Sequence, residues 1–157
     1  MRGGVRFLCR GIDDDGNCGN TVESELIVST PHHIFSHVQI RGTVPLFWEQ
    51  KQHGLVSEIN LLRTEELAKP VFQKHFDELL QDYNRVLLIN LVRKSRPEEH
   101  LLTTSLVKMF KLIKASKTPE DLNLKDKVKF VMFDFHAETK GDDFSKLNKF
   151  TEELSSV

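Results

Sequence analysis

A cation and an aromatic corner stand close together where one strand pattern ends. The alternating residues from His37 to Arg41 predict a half-buried strand, and Gly42 follows it directly. The chain's only tryptophan, Trp48, comes three residues after Pro45. A guanidinium held rigidly beside a glycine could bind a phosphate through two parallel hydrogen bonds. An equally good interpretation is a strand, a turn and a tryptophan that packs in a core.

A second set of polar residues follows the apolar stretch Val128–Phe135. Asp134, His136, Lys140 and Gly141 lie at or just beyond its end. Phosphate binding needs cations and backbone N–H groups that converge on one anion. A histidine can also donate a proton or a hydrogen bond near neutral pH. Taken singly, each side chain is equally typical of a surface cation or a hydrogen-bonded histidine.

The first third of the chain predicts an antiparallel meander. Its strands are expected at Val5–Cys9, Val22–Val28 and Ile34–Arg41, and the Asp-rich turn after Gly11 joins the first two. That turn lacks the glutamate that a calcium loop requires at its twelfth position, so we expect a plain hairpin connection. Lys51–Arg63 is polar and is expected to be irregular.

The remainder predicts a strand–helix–strand unit, which makes the fold class α/β. Two apolar strands, Val86–Val92 and Val128–Phe135, are expected to be covered on both faces. They flank a helix over Glu98–Ala115 that a Ser95–Glu98 capping box would open. Such a crossover predicts a parallel pair, and ligands of open α/β sheets gather beyond the carboxyl ends of the strands. Two more helices are expected, one with a Phe72–Tyr83 apolar stripe and Pro70 in its first turn, and one over Asp143–Leu154.

Composition excludes several classes of protein. The 157 residues carry 22 basic and 23 acidic side chains, a net charge of −1, so we expect no nucleic-acid partner. No apolar run approaches the roughly 20 residues of a membrane-spanning helix, and there is no secretory signal pattern. Cys9 and Cys18 do not have the spacing of a disulfide framework or a metal site, which indicates reduced thiols and no metal.

Three stretches in order resemble the Sac domain, the phosphoinositide phosphatase module of synaptojanin-like proteins. Arg10–Glu25 (RGIDDDGNCGNTVESE) is similar to the family pattern RGxDDxGxxxNxVETE. His37–Gln50 (HVQIRGTVPLFWEQ) is similar to SFVQxRGSxPxFWxQ, and Phe133–Gly141 (FDFHAETKG) to FDFHxxxKG. Three small departures from these patterns occur, at Ser24, His37 and Thr43.

The resemblance implies an activity that removes phosphate from the phosphorylated inositol headgroup of a lipid. Because such lipids lie on cytosolic membrane faces, it also implies a cytoplasmic protein that binds the membrane peripherally. It implies no cofactor. Residues expected to line or brace the headgroup pocket are Arg41, His136, Lys140 and Gly141. Residues that belong to the family motifs as structural positions are Arg10, Asn20, Glu23, Glu25, Trp48 and Asp134.

The family's nucleophile, a cysteine in a Cys-x5-Arg loop, is absent from the 157 residues. The residue that follows Cys9 after five intervening residues is Asp15, and the one that follows Cys18 in the same way is Ser24. Neither is an arginine. The expectation is therefore a partial Sac domain over residues 1–157, inactive alone, with no catalytic residue of its own. Missing subdomains or a partner protein would cover its exposed core. Two alternatives stay open: a catalytically dead phosphoinositide-binding or scaffolding module, and a small α/β domain with no connection to lipids.

Overall fold

The computed structural model describes residues 10–53, 56–141 and 144–155. The chain divides into two compact units, Met1–Glu78 and Leu79–Val157. The predicted strand Val5–Cys9 lies outside the described residues. The mixed α/β class that the sequence predicts is confirmed, with antiparallel pairs in the first unit and a parallel pair in the second.

The first unit begins with an antiparallel hairpin, as predicted. Strand β1 (Val22–Ser29) pairs with β2 (Ile34–Arg41), and Val22 lies opposite Arg41. The expectation of a half-buried face is wrong, because every residue of both strands is exposed; Leu26 is 63% exposed and Ile34 75%. Among the described residues no third strand joins this pair, so the alternation of apolar residues has no layer to pack against.

A second hairpin replaces the irregular segment expected at Lys51–Arg63. Strand β3 (Trp48–His53) pairs with β4 (Val56–Leu61), and Trp48 lies opposite Leu61. The prediction failed because these strands are largely polar, and a backbone ladder forms without a strong apolar alternation. The apolar block before them supplies the core, in which Leu46, Phe47 and Trp48 are buried.

Helix α1 (Glu65–Asp82) confirms the predicted aromatic stripe. Phe72 and Phe76 are fully buried, and their ring centroids are 4.8 Å apart. The helix begins earlier than expected, so Pro70 lies inside it rather than in the first turn. Because a proline lacks an N–H group, this position leaves one carbonyl of the preceding turn without its helical donor.

The second unit contains the predicted strand–helix–strand arrangement. Strand β5 (Val86–Asn90) and strand β6 (Val128–Met132) are parallel neighbours. Helix α2 (Pro97–Ala115) and a helix that was not predicted, α3 (Pro119–Lys127), connect them. The ring of Phe110 on α2 stacks on Phe130 of β6 at 4.7 Å, which confirms that the helix packs on the sheet.

Two details of this unit correct the predictions. Arg96 precedes α2 and the helix has no side-chain cap, so the Ser95–Glu98 capping box is wrong. The strands are also not covered on both faces, since Leu87 is 41% exposed and Met132 44%. After β6 the chain forms a short helix, α4 (Phe135–Glu138), and then α5 (Ser145–Ser155), close to the predicted final helix.

Candidate functional site

The residues around Gly11 form a tight corner in the first unit. Gly11 has a φ of +70°, and Ile12 N–H donates to the Leu46 carbonyl at 3.0 Å. The Trp48 indole N–H donates to the Val44 carbonyl at 3.1 Å, which fixes the aromatic corner. The guanidinium of Arg10 is engaged here as well, because its Nε donates to Gln50 Oε1 at 3.1 Å.

Arg41 ends β2 beside a network of backbone bonds. Thr43 N–H donates to the Gly19 carbonyl at 3.1 Å, and the Thr43 hydroxyl lies 3.2 Å from the Gly11 carbonyl. Asn20, in the same turn, has a φ of +58°. Arg41 itself is exposed, and its guanidinium forms no hydrogen bond or ion pair with any residue the structure describes. Its charge is therefore available to an anion.

One carboxylate of β1 forms a hydrogen bond across the hairpin. Glu25 Oε1 accepts from the Ser36 hydroxyl at 2.6 Å, across the strand pair. Glu23 lies on the same face, two residues away. The described residues contain no cluster of histidines, cysteines and carboxylates that could hold a metal ion.

The Asp-rich turn is organised by one carboxylate. Asp13 Oδ1 accepts from the N–H groups of Asn17 at 2.9 Å and Asp15 at 3.0 Å. The bond from Asn17 lowers the pKa of Asp13, while partial burial opposes this. The turn is closed by a single antiparallel bridge between Ile12 and Cys18, as expected of a hairpin connection.

Cys18 lies against His75 of α1 in an arrangement that resembles a cysteine–histidine pair. His75 Nδ1 donates to the Gly16 carbonyl at 2.8 Å, so Nε2 is the acceptor that faces Cys18 Sγ at 3.6 Å. Burial lowers the pKa of His75 and, together with the nearby Asp13, raises the pKa of Cys18 to about 12. A thiol with so high a pKa is not an activated nucleophile.

Cys18 is therefore expected to react slowly with iodoacetamide. In a Cys9→Ser variant at pH 8, we expect alkylation of Cys18 at least about 100-fold slower than that of the same chain in urea, because the thiolate fraction is small. Mass spectrometry of timed samples measures the rate. Equal rates in the folded and unfolded chain would show that the thiol is activated.

In the second unit, Asp134 joins two turns at the carboxyl edge of the parallel pair. One carboxylate oxygen accepts from the Lys94 N–H at 2.9 Å, and the other accepts from the Ala137 N–H at 3.1 Å and so caps α4. Asp134 is 8% exposed. The pKa of the Asp134 carboxyl is lowered, and the hydrogen bond from the Lys94 N–H is the largest cause. Burial has the opposite effect but does not cancel it. The loop after β5 and the turn after β6 are thus fixed to each other.

His136 lies on α4, in the turn after β6, and contacts the loop after β5. Its Nε2 contacts Nη2 of Arg93, which follows β5. Lys140 is exposed and makes no hydrogen bond or ion pair with the described residues. Gly141, with a φ of +75°, has open space where a Cβ would be.

Sequence reasoning missed Arg93 and Lys94 as members of this edge. The signal was present, since both follow the strand ending near Asn90, just as His136 follows its parallel neighbour. The structure brings Asp134 and His136 together with them in the second unit. Arg41 belongs to the first unit. That it converges with His136, Lys140 and Gly141 on one phosphate stays a prediction.

Comparison with known proteins agrees with the three motifs. The SacI homology domain, described by a family model, matches residues 1–140. Inositol-1,4,5-trisphosphate 5-phosphatase 1 of Schizosaccharomyces pombe is 35% identical over 150 residues, which are 95% of this chain and 13% of that protein. Polyphosphatidylinositol phosphatase INP53 of Saccharomyces cerevisiae is 33% identical, over 94% of this chain and 13% of the relative.

Human synaptojanin-1 is 36% identical over 148 residues, 94% of this chain and 9% of that protein. The chain thus spans about a tenth of the length of these curated relatives. No solved structure is significantly similar to it. In the part of the chain that the structure describes, no helix is both long and apolar enough to cross a bilayer. From the family match and its motifs, the chain belongs to the SacI homology family.

Proposed function

We propose that this chain is part of the phosphoinositide-recognising machinery of a Sac-type phosphatase, and that it binds the phosphorylated inositol headgroup at a cytosolic membrane face. The observation that carries the proposal is the edge of the second unit. There Asp134 fixes two turns that hold Arg93, Lys94 and His136. Relatives named as inositol phosphate and phosphatidylinositol phosphatases supply the class of substrate.

The chemistry available at this edge is recognition of an anion. Guanidinium, ammonium and imidazole groups supply charge-assisted donors, which suit phosphoryl oxygens. Lys140, two residues after the end of α4, adds another cation. Gly141 has no side chain, which leaves space for a ligand to approach the backbone. Arg41 is a further proposed contact from the first unit. None of these groups is a nucleophile that would break a phosphoester bond.

A second candidate function is that of a binding or scaffolding module without catalysis. The 157 residues contain no Cys-x5-Arg sequence, which favours this reading for the chain taken alone. Both candidates require the same headgroup surface, so binding has to be measured before turnover.

Binding is tested with vesicles. Replacement of Arg41 or Lys140 by Ala is expected to weaken binding to vesicles that contain phosphatidylinositol phosphates by about 1–3 kcal/mol, because each change removes a charge-assisted contact. Arg41→Lys is expected to weaken it too, since an ammonium cannot form the two-pronged contact of a guanidinium. Co-sedimentation gives the affinities.

The matched control is Lys114→Ala, which removes an exposed lysine from the last turn of α2. It should bind as the wild type does. Equal binding by all variants would show that Arg41 and Lys140 do not contact the headgroup. Equal binding of the wild type to vesicles with phosphatidylserine at the same charge would contradict recognition of the headgroup.

A further inference from the structure

Arg93 is a half-buried arginine whose charge is not neutralised by a neighbour. With the residues that the structure describes, its guanidinium makes one contact, to Nε2 of His136. An arginine has no acceptor atom, so the ring nitrogen is the acceptor in this contact. The guanidinium therefore faces a dipole and no carboxylate.

The carboxylates around this edge are engaged elsewhere. Glu99 accepts from the backbone N–H of Arg93 at 3.1 Å and pairs with Arg96 at 3.6 Å. Asp134 accepts from the N–H groups of Lys94 and Ala137. These two acidic side chains fix the backbone of the Arg93–Lys94 loop but do not satisfy the Arg93 guanidinium.

A third carboxylate of this edge is likewise occupied. Glu138 pairs with Lys146 at 2.9 Å. These three acidic groups are thus bound to backbone donors or to other cations. A partly desolvated guanidinium in these surroundings is stabilised by an anion that enters from outside, and a phosphate offers the planar pair of oxygens that it fits.

We propose that Arg93 binds a phosphate group of the phosphorylated inositol headgroup, and that Glu99 and Asp134 are positioning residues that hold its loop. This inference rests on the proposed function and assigns its main cation to a residue outside the three family motifs. When the phosphate binds, the Arg93 guanidinium exchanges its contact with His136 for a contact with the anion.

Arg93→Gln is expected to raise the Kd for inositol 1,4,5-trisphosphate about 10- to 100-fold, since it removes the charge but keeps much of the side-chain volume. Isothermal titration calorimetry on the whole chain measures the Kd. The control is Arg85→Gln, the same substitution at an exposed position just before β5, at the other end of the strand. It should leave the Kd within about twofold.

Two substitutions of Glu99 separate positioning from simple electrostatics. Glu99→Gln and Glu99→Ala both remove a negative charge near the anion, but only Gln keeps an acceptor for the Arg93 N–H. We expect Gln to bind the trisphosphate at least as tightly as the wild type, and Ala at least about fivefold more weakly than Gln. If both bind equally, the positioning role is wrong. This comparison also decides the question if Arg93→Gln fails to fold.

The remaining outcomes are distinct. Normal binding by Arg93→Gln with weakened binding by Lys140→Ala would overturn this inference and leave the proposed function standing. A wild-type chain that binds neither the trisphosphate nor phosphoinositide vesicles would overturn both. Inorganic phosphate that binds as tightly as the trisphosphate would show a site for free phosphate and overturn the assignment to the headgroup.

Discussion

The 157-residue chain is expected to release no phosphate from any phosphatidylinositol phosphate. A covalent mechanism through a phospho-cysteine needs a thiolate and an arginine in one loop, and neither cysteine has that arginine. The pKa of Cys18 is about 12, so it is protonated at neutral pH. Loss of a nucleophile and its electrostatic support costs about 10⁶-fold in rate, far more than Asp134 or His136 could restore by positioning water.

The measurement is release of inorganic phosphate from vesicles, compared with a heat-denatured sample of the same chain. Polyphosphatidylinositol phosphatase INP53, assayed in parallel, shows that the substrates are accessible. Turnover that disappears in Cys18→Ser would overturn the argument, because it would mean that the thiol beside His75 attacks phosphorus. Turnover that persists in Cys9→Ser, Cys18→Ser would point to a mechanism without a thiol.

Gly11→Ala is expected to destabilise the first unit strongly. A Cβ at this position would lie 2.3 Å from the Leu46 carbonyl oxygen and 2.8 Å from Trp48 Cδ1. The backbone would also have to keep a φ of +70°. Left-handed strain and overpacking together predict a loss of about 2–5 kcal/mol of unfolding free energy. Urea unfolding followed by fluorescence of Trp48, the only tryptophan, measures it.

Gly16→Ala is the matched control for this substitution. Gly16 also has a positive φ, +92°, but a Cβ there would come no closer than 3.4 Å to any heavy atom. It should therefore lose only about 1–2 kcal/mol, the cost of the left-handed backbone. If the two substitutions were equally costly, the close approach of Gly11 to Leu46 and Trp48 would not matter for stability.

Periodicity predicted the elements with strong apolar patterns. Val86 and Val128 belong to short, mainly apolar segments, and both became the parallel strands expected of them. The stripe through Phe72 and Phe76 likewise predicted a helix that buries those rings. In these segments the apolar pattern was strong enough to predict the type of element.

The failures have a common physical cause. Strand β3 and strand β4 are held by a backbone ladder that leaves little trace in residue types. For β1 and β2 the alternation was present, but burial also depends on which layers lie nearby, and a single strand pattern does not contain that information. The contact of Arg93 with His136, 43 positions away, on which its proposed role depends, is specified by no local pattern.

The bond between the Lys94 N–H and Asp134 also determines when the anion site can form during folding. The two residues are 40 positions apart in sequence, and between them the chain must build α2 and α3 and align β6 beside β5. Helices form in about a microsecond, whereas closing a loop of this length carries a larger entropic cost and comes later. A peptide of either turn alone therefore lacks the site. Phosphate binding at the proposed site would therefore report the completed parallel pair and not its local pieces.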